Sequence, residues 1–120
     1  MTTTEKLAMY KEKEQAVNDL SKFFRKSPKY PSVATIEYGV CSKNGEVADD
    51  TYFEEWIVLH FVPFSGNYTT PCRVTGKSIT EISELINRLV NCSSAELNNY
   101  AEIANYMDML NSDYKFIDLG

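Results

Sequence analysis

The chain has 120 residues, of which 43% are hydrophobic and 24% charged, the composition of one globular domain rather than of a disordered segment. Its 17 acidic and 12 basic residues give a net charge of −5, and no basic stripe stands out, which disfavours contact with a phosphate backbone. Negative charge of this kind keeps a domain soluble, and it also suits docking on a basic patch of a partner or standing in for DNA.

The chain reads as a single domain over residues 1–120. The first expected element is a helix over residues 4–26. Ala16, Val17, Leu20, Phe23 and Phe24 recur at helical spacing and should face inward, joined by Leu7 and Tyr10. Residues 11–15 are wholly polar, so the start of the helix is expected to project beyond the core or to pair with a second copy as a two-fold dimer. The basic run from Lys22 to Lys29 fits the last turn of this helix, where cations complement the dipole. Pro28 and Pro31 end it.

From residue 32 to 41 the pattern alternates, with Ala34, Ile36, Tyr38 and Val40 on one side and Val33, Thr35 and Glu37 on the other. Asn44-Gly45 is the favoured pair for a type I′ turn. The polar residues 46–50 then predict a hairpin frayed at its loop end. The strongest strand is expected over residues 51–62. Phe53, Ile57, Leu59 and Phe61 share one face, and Tyr52, Trp56, Val58, His60 and Val62 share the other. With both faces apolar the strand is central, and its second face needs cover. A third strand over residues 68–75 carries Pro71, which cannot donate to a ladder and so belongs at an edge.

Ser78-Ile79-Thr80-Glu81 is a capping box opening a helix, whose stripe is Ile79, Ile82, Leu85, Ile86, Leu89 and Val90. Ser93-Ser94-Ala95-Glu96 repeats the signal before a further helix reaching to about Asn111. Residues 114–119 alternate weakly, as a short strand or an ordered coil. The fold predicted is α+β, with an N-terminal helix, a three-stranded antiparallel sheet and two C-terminal helices packed on the sheet.

The order helix, three strands and a helix opening with Gly76-Lys77-Ser78 resembles the double-stranded-RNA-binding domain over residues 17–90. The resemblance implies an architecture. Where that family places lysines in the first turn of the last helix, this chain has Ile79, Thr80 and Ile82, so RNA contact is not expected of it.

Little in the sequence points to catalysis. His60 is the only histidine and falls mid-strand, where a structural role is the simpler reading; thiol chemistry would need it beside Cys41 or Cys72. Glu54 and Glu55 are strand neighbours and point to opposite faces, and Asp49-Asp50 falls in a loop of hydrated acids. Gly76-Lys77-Ser78 lacks the upstream glycine of a phosphate loop, because position 71 is Pro. Cys41, Cys72 and Cys92 show no spaced pair, so neither disulfide framework nor metal site is predicted, and free thiols fit the cytoplasm. No apolar run opens the chain, and no membrane segment is expected.

The candidate binding residues are Tyr52, Trp56 and His60, at every fourth position along the central strand, with Arg73 flanking them. They predict a cofactor-free, non-enzymatic protein that inhibits or regulates a macromolecular partner, such as a phage or mobile-element accessory, immunity or chaperone-like protein. A protein partner is expected, with a homodimer as the simplest self-assembly and nucleic acid disfavoured. The rival is a small-ligand or nucleotide binder in which the aromatic row stacks a ring and Arg73 pairs a phosphate or carboxylate.

Overall fold

A computed structural model describes residues 1–26, 33–61, 68–92 and 113–120 of the chain. The order is helix α1 (Thr3–Lys26), strands β1 (Val33–Lys43), β2 (Phe53–Phe61) and β3 (Tyr68–Arg73), helix α2 (Ile79–Val90) and strand β4 (Tyr114–Phe116). The fold is α+β, and its sheet is antiparallel with four strands in the order β3-β2-β1-β4. Three strands were expected. The fourth is the weakly alternating tail, which pairs Phe116 with Cys41 and Tyr114 with Lys43. Of the two helices expected after the sheet, α2 is seen; the one predicted over residues 93–111 lies outside the described residues.

Local chemistry explains the boundaries. Ser78 caps α2 by accepting from the Glu81 amide while Glu81 accepts from the Ser78 amide, both at 3.2 Å. Asn44 and Gly45 both have positive φ, 57° and 71°, and the Glu46 amide closes the turn on Lys43. The hairpin is frayed beyond that turn, since Ser42 pairs with Phe53 across a long loop. Asp49 in that loop accepts from both the amide and the hydroxyl of Thr3 and so tethers the loop to the start of α1. Asp49 is thus a partnered acid, not the free loop acid its neighbours suggest.

Both described helices lie on one face of the sheet. Tyr10, Val17 and Phe24 of α1 and Ile82, Ile86 and Leu89 of α2 close over Ile36, Tyr38 and Val40 of β1 and Phe53, Ile57 and Leu59 of β2. Two expectations about α1 are corrected. Phe23 is 62% exposed, and only its edge meets Phe24; neighbouring helical positions differ by about 100°, so one of the two had to leave the stripe. The polar start of the helix does not project. Tyr10 packs edge-on against Phe53, and Lys13 is buried.

Lys13 is held there by Glu55, which is 2% exposed and points into this face between Phe53 and Ile57. Its Oε1 accepts from Lys13 Nζ at 2.7 Å and from the Tyr38 hydroxyl at 2.6 Å, and its Oε2 accepts from the Gly76 amide at 3.0 Å. The Glu55 backbone completes the junction through Thr75 Oγ1 and the Val74 amide. One carboxylate therefore joins α1, β1, β2 and the turn into α2. Every polar atom of it is satisfied, which is the condition under which a buried ion pair is tolerated.

Candidate functional site

The opposite face of the sheet carries the aromatic row, and its members differ sharply in exposure. Tyr52 lies just ahead of β2 and is 59% exposed, whereas Trp56 is 1% exposed. The indole packs with Cys41 and Tyr114, and its N–H points to Glu54 Oε2 at 3.4 Å. Arg73, its cross-strand neighbour, places its guanidinium 5.2 Å from the ring centroid and 3.7 Å from Glu54. Trp56 and Arg73 are thus engaged with each other. His60, four residues further on, is half-exposed, with Nε2 3.1 Å from Glu37 Oε2.

His60 is the one member of the predicted set that lines a hollow of about 720 Å³ at the outer edge of β1. Glu37, Tyr38 and Gly39 form its floor, Glu14 of α1 stands on one side and Phe116 and Ile117 close one end. Gly39 is needed there. A Cβ at this position would sit 2.8 Å from the Phe116 ring, which lies across the glycine backbone. Glu37, which as a neighbouring-strand residue could be expected to flank the row, does meet His60. Glu14 and Phe116 were not singled out by sequence, because they come from α1 and β4 and no spacing in the chain relates them.

The strand periodicity of Glu54 and Glu55 holds. Glu55 enters the core and Glu54 stays on the Trp56 side. The structure does not bring a thiol to His60. Cys72 faces the core beside Ile57, and Cys41 is paired with Glu54, six strand residues or on the order of 20 Å from His60. None of the three cysteines is joined in a disulfide.

Burial and the nearby Glu54 charge push the Cys41 thiol up from 9.0 to about 11. Burial, then Glu55, likewise raises the Tyr38 and Tyr10 hydroxyls above 10.0. For such groups the unfolded chain ionises first, so the stabilisation is complete below the ordinary value and is lost as pH rises through the folded one. Asp49 and Glu81 are shifted down, by Thr3 and by Ser78 respectively, and their small contribution disappears as pH falls through the carboxylate range. Stability is therefore expected to be flat from about pH 5 to about pH 9 and to fall on the alkaline side. Denaturant melts across that range check this. Iodoacetamide at pH 8 should modify partly exposed Cys92 well before Cys41 or Cys72.

The chain matches no known family, no curated protein and no solved structure. Among the described residues, no helix is long and apolar enough to cross a membrane, and no group of three or more His, Cys, Asp or Glu side chains is placed to hold a metal ion.

Proposed function

We propose that this chain is a small acidic binding protein that inhibits or regulates a macromolecular partner, most simply another protein. The observation that carries the reading is the hollow of about 720 Å³ beside β1, edged by Glu14 and Glu37 and bordered by the exposed ring of Phe116. An aromatic anchor beside a polar rim is the usual anatomy of a protein interface. The net charge of −5 favours a basic surface on the partner. A cytoplasmic site of action suits three cysteines outside any disulfide, two of them buried. Accessory proteins of phages and mobile elements, immunity proteins and chaperone-like proteins are the classes in view.

A small ligand is the second reading, favoured by the volume of the hollow, which falls in the range of ligand sites. The acidic lining favours a cation over a nucleotide, and Arg73 is engaged elsewhere. The test is affinity capture of the tagged chain at native abundance from its host. The expected result is one protein retained at near-stoichiometric yield and released by salt. Absence of any such protein, together with a melting temperature raised by a nucleotide or metabolite panel, favours the small-ligand reading instead.

A further inference from the structure

We infer that the partner contributes an extended segment bearing Lys or Arg, which adds as a strand to the β1 edge at Glu37–Gly39 and turns its cations towards Glu14 on one face of the sheet and Glu37 on the other. This rests on the binding reading above and names the partner's chemistry.

The hydrogen-bonding parity of β1 is fixed at two points on its outer edge. The Val40 carbonyl accepts from the Ile117 amide at 2.9 Å, and the Ile36 amide donates to Ser21 Oγ of α1, also at 2.9 Å. Outward-facing backbone groups alternate along a strand, so those of Tyr38 point the same way. Among the described residues nothing pairs with them. β4 ends at Phe116, and the last residues turn away towards α1, where Lys11 Nζ donates to the Gly120 carbonyl at 3.3 Å. Among the described residues the sheet is therefore left open over the stretch between Ile36 and Val40, about 13 Å long.

The open stretch is the floor of the hollow, so the unpaired backbone and the space for a further strand coincide. An exposed edge of this kind is the usual acceptor for strand addition, with backbone bonds giving affinity and flanking side chains giving specificity. Here the flanks are acidic. Glu37 is exposed next to His60 on one face of the sheet, Glu14 lines the hollow from α1 on the other, and no described Lys or Arg lines it. Two carboxylates on either side of a strand select a cationic side chain. A second copy of this chain fits poorly, because pairing two such edges opposes Glu37 to like charge. Ser21 and Ile117 at the two ends also keep the open edge too short for runaway association.

The test begins with random peptides of about a dozen residues displayed against the full-length protein. The expected winners carry Lys or Arg within a β-prone stretch and lose affinity steeply as salt rises from about 0.05 to about 0.5 M. N-methylating alternate backbone nitrogens of a winning peptide should weaken binding about tenfold or more in one parity and little in the other. Glu14→Lys with Glu37→Lys should abolish binding; where circular dichroism shows that pair misfolded, Glu14→Gln with Glu37→Gln serves. Neutral or acidic winners, equal loss in both methylated parities, or binding indifferent to the carboxylate variants would each overturn the inference. So would concentration-dependent dimerisation that protects the Tyr38 amide, or the absence of any winner. Host capture of a protein would then still stand, which separates failure of this inference from failure of the binding reading.

Discussion

Glu55→Ala is expected to destabilise the fold by about 3–5 kcal/mol, because it leaves a buried ammonium without a counter-charge. Lys13 is buried with Glu55 Oε1 2.7 Å away, and the same carboxylate satisfies the Tyr38 hydroxyl and the Gly76 amide. Each orphaned polar group adds about 1–3 kcal/mol of its own, although these costs overlap in one network. Against a typical total of about 5–15 kcal/mol, the variant sits near the unfolding threshold. Adding Lys13→Met should recover a large part of the loss, since the stem keeps its packing and the stranded charge is gone. Urea melts of wild type, single and double variants check this. A single-variant loss below about 1 kcal/mol would contradict the role given to the junction.

Trp56→Ala is the second large effect, at about 3–5 kcal/mol for a buried ring truncated to a methyl. The indole is 1% exposed, enclosed by Cys41 and Tyr114 and overlaid by the Arg73 guanidinium. Tyr52→Ala, at the 59% exposed end of the same row, should change stability by no more than about 0.5 kcal/mol. The chain has one Trp, so its fluorescence reports this site alone. Emission should be blue-shifted in the folded protein and red-shift on unfolding. A solvent-like maximum in the folded state would place the ring outside, where it serves contact rather than the fold.

Elements whose signals are local were legible in the sequence. The alternation of Ile36, Tyr38 and Val40, the turn at Asn44-Gly45, the edge position implied by Pro71 and the capping box at Ser78 and Glu81 are each decided within a few residues. What depended on distant partners was not legible. Lys13 stands in a polar run and reads as solvated; only Glu55, 42 positions away, makes its burial tolerable. β4 is three residues long, its alternation too weak to tell strand from coil, and it exists because the β1 edge accepts it. The row Tyr52, Trp56 and His60 does share a face, but side-chain period alone does not say how much of a face is covered. Glu37 could be placed beside the row from strand pairing, but Glu14 had no signal, because α1 meets the β1 edge only once folded.

The most direct test of the account is amide hydrogen exchange of the full chain, alone and with its captured partner. The proposed strand addition predicts that the Tyr38 amide slows by about a hundredfold or more on binding, with Trp56 emission unchanged. Tyr38 exchange that stays the same while a different surface becomes protected would contradict it.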